Sequence, residues 1–202
     1  MILHDLTAGM HPRRVRIFLA EKGVSIERRE VDAASGANAT PEFIRLNPLG
    51  KLPVLELDDG STICESLAIC RYVEALHPNP PLMGRTPRES AHVEMWTLRI
   101  DHALSQMIAL TFVHSSEFYR GRVEQIPEVA TWARGRALQT MAWLDVELAG
   151  RRHIAGEDYS MADIVAQCAF VLGKAVGLRI PPEMSELSRW FAEVTARPTA
   201  RA

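Results

Sequence analysis

Residues 47–66 read NPLGKLPVLELDDGSTICES, and the order of the parts within this run decides how the first half of the chain folds. Pro53 opens an apolar stretch, Val54, Leu55 and Leu57, at a place where it has no N–H to give to a sheet ladder. Xaa-Pro bonds adopt cis far more readily than other peptide bonds, and a cis Leu52-Pro53 bond turns the Leu52 N–H and C=O outward as an unpaired edge. An extended peptide can add to such an edge as a strand. Asp59-Gly60 is a two-residue hairpin signal, which predicts antiparallel pairing of residues 53–57 with 61–64. Glu65 and Ser66 follow and open a helical pattern, Ile69, Val73 and Leu76, that stops at His77-Pro78. The positive helix end at Ser66 suits a carboxylate and Glu65 suits an ammonium group, so the pair can hold one amino-acid head group at both ends. Taken singly, each feature has a plainer reading, Ser66 as a helix cap and Pro53 as a turn residue.

Upstream of this run the pattern alternates. A strand is predicted at 1–5, a helix at 12–22 with Val15, Phe18, Leu19 and Lys22 on one face and Gly23 as its C-terminal cap, a strand at 25–31 and a short helix at 41–46. With the hairpin and the third helix this makes a mixed α/β unit over residues 1–77. Pro78, Pro80, Pro81 and Pro87 gather around residues 78–86, which read as a semi-rigid linker. From 87 to 202 everything reads helical. Thr86, Pro87 and Glu89 form a capping box that launches a long helix to about residue 115, and Pro127 opens a second helix closed by Gly150. Ser160 and Asp163 form another box, with Tyr159 and Ile164 as a hydrophobic staple, so losing either polar residue should cost about 1 kcal/mol or more. A last helix carries Leu187, Trp190, Phe191 and Val194.

Composition narrows the function classes. Twenty-three Lys and Arg against 25 Asp and Glu leave no global field to attract nucleic acid or an anionic membrane, and 47% hydrophobic residues suffice for a sizeable core. The first 20 residues carry too many charges for a signal peptide, and 161–176 is too short and interrupted to span a bilayer, which points to a cytoplasmic protein. Cys64, Cys70 and Cys168 form no CxxC pair, and the seven histidines show no paired ligand spacing, so neither a disulfide framework nor a metal is expected.

Leu52-Pro53 followed by Glu65-Ser66, together with RRVRIFLAEKG at 13–23, GEDYSMADI at 156–164, Arg197-Pro198 and Arg201-Ala202, resembles the cytosolic glutathione S-transferase family in its bacterial forms. That resemblance implies an α+β fold, with a thioredoxin-like βαβαββα domain at 1–77 followed by an all-helical domain at 87–202. It also implies a cytoplasmic homodimer acting in detoxification, with glutathione as co-substrate. The implied activity is conjugation of the glutathione thiolate to a small apolar electrophile. A glutathione-dependent disulfide reductase or peroxidase is the rival enzyme reading, and a non-catalytic transferase-like binding protein is the third. By the same resemblance Leu52, Pro53, Glu65 and Ser66 bind glutathione, while Lys51 and Asn38 reach its glycine carboxylate.

The thiol needs a donor or a helix N-terminus to become a thiolate. The family's helper falls just after the first strand. Aligned on RRVRIFLAEKG, Asp5 stands at the tyrosine of tyrosine-type classes, Gly9 at the hydroxyl residue of serine-type classes and His11 at the cysteine of cysteine-type enzymes, so all three usual helpers are replaced. Two substitutes are candidates: Thr7 with its hydroxyl, or the N–H groups of Met10 and His11 at the helix start with the His11 ring assisting. Their plainer reading is loop stabilisation and helix capping. The electrophile pocket is expected between this loop and the long helix, where Met107, Thr111, Phe112 and His114 recur at roughly helical spacing, although such a stripe can equally be core.

Overall fold

A computed structural model describes residues 1–202, which fall into two compact units, Met1–Pro81 with Arg201–Ala202, and Leu82–Ala200. No helix is long and apolar enough to cross a membrane. The first unit runs β1 (Ile2–Asp5), α1 (Met10–Lys22), β2 (Glu27–Glu30), α2 (Pro41–Leu46), β3 (Val54–Glu56), β4 (Thr62–Cys64) and α3 (Ser66–Leu76). The strands form one sheet in the order β2-β1-β3-β4, with β1 parallel to β2 and antiparallel to β3. This is the thioredoxin-like arrangement that the resemblance implies.

Alternation along the strands sorts the core into two faces. Val31, Val54 and Phe43 cluster on the α2 side with Leu46, Leu52 and Cys64, and His4 meets the Phe43 ring edge-on. Leu3 and Leu55 pair on the other face and are fully buried, as are Ile17, Phe18 and Ile69 of the packed helices α1 and α3. Strand β2 is exposed at all four positions, Glu27, Arg28, Arg29 and Glu30, and lies at the sheet edge, where charge discourages a further strand from adding. The hairpin differs in detail from expectation. Gly60 has φ 83° and its N–H donates to Leu57 O, but Asp59 keeps a negative φ, so the connection is a three-residue loop ending on a left-handed glycine. The Asp59 carboxylate explains the preference, accepting from both Ser61 N–H and Ser61 Oγ at 2.9 and 2.6 Å.

In the helical unit the long helix begins as expected, with Thr86 Oγ1 accepting from Glu89 N–H at 3.2 Å. The return bond of the box goes instead to Arg85 N–H, at 2.8 Å. The helix is not uniform. Segment α4 (Pro87–Ile100) and segment α5 (Gln106–Ser115) are joined by a π-helical turn at Asp101–Ser105, in which Gln106 N–H bonds Asp101 O. Helix α6 (Pro127–Glu147) closes that irregularity, since Thr140 Oγ1 donates to Ala103 O at 3.0 Å.

Helices α7 (Met161–Lys174) and α8 (Ser185–Thr195) complete the unit, and α7 is buried from Met161 to Phe170. At its start Asp163, with no exposed surface, gathers four donors. Ile154 N–H and Trp190 Nε1–H reach Oδ1 at 3.0 and 2.8 Å, while Ser160 N–H and Ser160 Oγ–H reach Oδ2 at 2.9 and 3.1 Å. The residue therefore ties the preceding loop and α8 to the start of α7, which is more than a helix cap does.

Candidate functional site

The β1–β3 and β3–β4 ladders both end at Val54, which pairs with His4 on one side and Cys64 on the other. Leu52 and Ser66 each lie two residues beyond the Val54–Cys64 pair and leave the sheet at the same end. The Leu52-Pro53 bond is cis. Pro53 is buried and Leu52 half-buried beside Cys64. Glu65, exposed, has φ 67° and ψ 120°, and is the one non-glycine residue with positive φ. Such a backbone costs about 1–3 kcal/mol and persists where surrounding structure enforces it, commonly at ligand sites. Ser66 is 4% exposed and takes the first position of α3, which has no side-chain cap and no acidic residue in its first turn. Its helix end is thus electropositive. Burial, with Glu65 next door, pushes the Cys64 thiol upward, so this cysteine stays protonated beside the site.

Lys51 is exposed, and its carbonyl accepts from Asn47 Nδ2 at 2.8 Å, which braces the turn before Leu52. Asn38 requires a correction. Its Nδ2 donates to Gly50 O at 2.8 Å and so locks the 36–40 loop against the 47–51 turn, a brace for the site in place of the ligand contact expected.

The loop after β1 is held tightly. Asp5 is fully buried and accepts from Arg16 Nη1 at 2.7 Å, Arg28 Nε at 2.8 Å and Leu6 N–H at 2.9 Å, which makes it an anchor with no surface to offer a thiol. Thr7 is also corrected as a thiol donor. Its hydroxyl donates to Glu30 Oε2 and its N–H to Glu30 Oε1, both at 2.8 Å, so the proton it would lend to sulfur is already committed. His11 is exposed at the second position of α1.

Gly9 precedes α1 with extended backbone and no side-chain cap. A Cβ there would come 2.9 Å from Pro12 Cδ and Cγ and 3.1 Å from Leu6 O. Gly9→Ser should therefore destabilise the fold by about 1–3 kcal/mol through overpacking, and Pro12→Ala in the same chain should recover most of that. Thermal unfolding of the single and double variants checks it. Equal midpoints for Gly9→Ser and wild type would show that the loop yields freely.

On α5 the four expected pocket residues separate. Thr111 is 3% exposed and its Oγ1 donates to Met107 O at 2.9 Å, so it belongs to the core and is corrected accordingly. Met107, Phe112 and His114 are half-buried. The Phe112 ring lies 6.3 Å from Phe118 and 5.7 Å from Tyr119, two aromatic residues that the helical spacing could not reveal because they follow the end of α5. Ile126 N–H donates to His114 Nδ1 at 3.1 Å, which leaves the neutral ring's proton on Nε2. A separate groove of about 970 Å³ runs along α4 and α6, lined by Met95, Leu98, Arg99, His102 and Trp143 among others, and includes none of the four.

Comparison with known proteins agrees with this geometry. The family models for the glutathione S-transferase N-terminal and C-terminal domains match residues 10–76 and 103–198. Glutathione S-transferase 2 of Saccharomyces cerevisiae is 36% identical over 205 residues, covering 100% of this chain and 88% of that protein. The crystal structure of Gtt2 from Saccharomyces cerevisiae superposes with a TM-score of 0.94 at 35% identity, covering 100% of this chain and 99% of the other. Elongation factor 1-gamma 1 of Oryza sativa subsp. japonica is 29% identical over 202 residues, 98% of this chain but 47% of that longer protein.

Proposed function

We propose, because the chain belongs to the glutathione S-transferase family, that it binds glutathione on the first unit and joins its sulfur to a small apolar electrophile. The observation that carries this reading is the shared exit of Leu52 and of the strained Glu65-Ser66 pair from one end of the β3–β4 ladder. Glutathione is an extended peptide with an amino-acid head group. Its cysteinyl backbone pairs with the Leu52 N–H and C=O beyond the ladder, its γ-glutamyl carboxylate meets Ser66 at the start of α3, and its ammonium group meets Glu65. Lys51 faces the glycine carboxylate.

With Thr7 bound to Glu30 and Gly9 lacking a side chain, the thiol is activated by the start of α1. Its first N–H groups and positive dipole end stabilise the thiolate, and the His11 ring assists. The thiol proton passes to solvent, and the sulfur attacks the electrophile to form the new carbon–sulfur bond. Phe112 with Phe118 and Tyr119 offers an apolar, aromatic surface for that partner. A cytoplasmic homodimer belongs to the same reading, and Leu98 and Trp143, exposed along the groove, are apolar surface that such an assembly would cover.

Calorimetry with glutathione is the first test, and it should show saturable binding. No binding at millimolar glutathione would overturn the reading. Turnover should then follow with model electrophiles, and His11→Ala should lower it and raise the pKa of the bound thiol. Turnover of peroxides or mixed disulfides alone would select the reductase reading. Binding with no turnover at all would favour the non-catalytic reading, which the similarity to an elongation factor subunit supports.

A further inference from the structure

We infer that Glu30 is a positioning residue for thiol activation, gripping Thr7 and through it setting where the turn before α1 places that helix's first N–H groups. The inference rests on the proposed glutathione reading.

Glu30 lies opposite Asp5 in the parallel β1–β2 register, and Val31 N–H closes the ladder on Asp5 O at 2.8 Å. Beyond that point no strand pairing holds the β1–α1 loop. The Glu30 carboxylate extends the hold by accepting two donors from one residue, Thr7 N–H and Thr7 Oγ–H, both at 2.8 Å. Arg28 supports the same hydroxyl from Nη2 at 3.4 Å while its Nε holds Asp5. From the α1 side, Arg16 donates to Thr7 O at 2.8 Å and to Leu6 O at 3.3 Å. Gly9 N–H then returns to Leu6 O at 2.8 Å, and α1 begins at the next residue. The turn thus has an inner tether, Arg16, and an outer one, Glu30.

Removing the outer tether leaves the buried Asp5–Arg16 pair intact, so the loop stays folded while the Thr7 peptide is free to tilt. Thr7 N–H, the first cause named, holds the Glu30 carboxyl below its usual range, as expected if the ionised form is what Thr7 grips. Glu30 is exposed, and exposed hydrogen-bonded charges add little to stability. Geometry at a reacting atom is far less forgiving than stability, since displacements near 1 Å can cost about a hundredfold in rate.

Charge and position predict opposite signs. As a nearby negative charge Glu30 would disfavour a thiolate, so its loss would lower the bound thiol's pKa. As a positioning residue its loss raises that pKa. The test is the ultraviolet titration of the glutathione thiolate on the wild-type protein and on Glu30→Ala, Glu30→Gln, Thr7→Val and Glu30→Ala/Thr7→Val. Glu30→Ala should raise the bound thiol's pKa and lower kcat/KM at neutral pH about threefold to tenfold, with the Kd for glutathione within about twofold of wild type. Glu30→Gln, which keeps one acceptor, should fall between, and the double variant should be no worse than the worse single one.

An unchanged or lowered thiol pKa in Glu30→Ala would overturn the positioning role, as would additive effects in the double variant. A wild-type protein that binds no glutathione, or binds it without forming thiolate, would fail earlier and take the proposed function with it.

Discussion

Glu65→Gly is expected to weaken glutathione binding about thirtyfold while leaving the unfolding temperature unchanged or raised by a few degrees. The two effects have separate origins. Glu65 sits at φ 67° and ψ 120°, a conformation that costs a side-chain-bearing residue about 1–3 kcal/mol. Glycine adopts positive φ without that penalty, although its unfolded-state freedom returns roughly 0.5–1 kcal/mol to the debit side. A net gain of about 1 kcal/mol corresponds to about 2–4 °C for a chain of this size. The lost carboxylate removes a charge-assisted hydrogen bond to the ligand's ammonium group, worth about 2 kcal/mol. Glu65→Ala separates the contributions, because it should lose the same affinity with no rise in midpoint. Calorimetry and thermal unfolding on the three proteins decide the matter. Wild-type affinity in Glu65→Gly would remove Glu65 from the site, and a lower midpoint than Glu65→Ala would mean that the backbone there is not strained.

Asp163→Ala is expected to destabilise the helical unit by about 3–5 kcal/mol and to lower its unfolding temperature by roughly 10 °C. Four donors converge on this carboxylate from Ile154, Ser160 and Trp190, and alanine leaves them buried without an acceptor. This exceeds the cost of about 1 kcal/mol expected for a helix cap alone, because Trp190 of α8 and the loop at Ile154 lose their anchor as well. The carboxylate also carries a pH signature. Burial, its largest influence, raises its folded pKa above the ordinary value of 3.8, so the folded chain holds this proton more tightly than the unfolded one. Its contribution to stability therefore declines as pH rises from about 4 through the folded pKa. Asp163→Asn should flatten that slope, as denaturant unfolding across pH would show. An unchanged slope would assign the dependence to another group, and a loss below 1 kcal/mol in Asp163→Ala would reduce the residue to an ordinary cap.

The parts of the fold that announced themselves were those with local causes. Pro53, Asp59-Gly60 and the apolar spacing after Ser66 each act on their immediate neighbours, and they located β3, β4 and α3 within a residue or two. Strand β2 was harder to bound, because its four residues are all charged and exposed; only flanking Ile26 and Val31 signalled it, and the expected 25–31 shrank to Glu27–Glu30. At the site, the strained Glu65-Ser66 corner was legible because its residue types are unusual together. Thr7, Asn38 and Thr111 misled for one shared reason. Each is a polar side chain whose partner, Glu30, Gly50 or Met107, is fixed by the folded backbone, and residue type alone does not say whether its hydrogen bond is already made. Phe118 and Tyr119 were missed because they lie past α5, where helical periodicity no longer reports.

The π-helical turn at Asp101–Ser105 left no trace in composition, since it is built from ordinary helix residues. It amounts to one surplus residue in a helix that would otherwise run straight from Pro87. Each residue of an α-helix turns the chain by about 100°, so the surplus decides which way Phe112 and His114 look relative to everything before Ile100. Excising a single codon within the turn would let the helix continue in regular α geometry with its hydrogen bonds intact, yet would swing α5 round by more than a quarter of a circle. Thr140, holding Ala103 O from the neighbouring helix, would lose its acceptor in the process. A frame-preserving deletion of one residue is thus a larger change to this protein than most substitutions in its core.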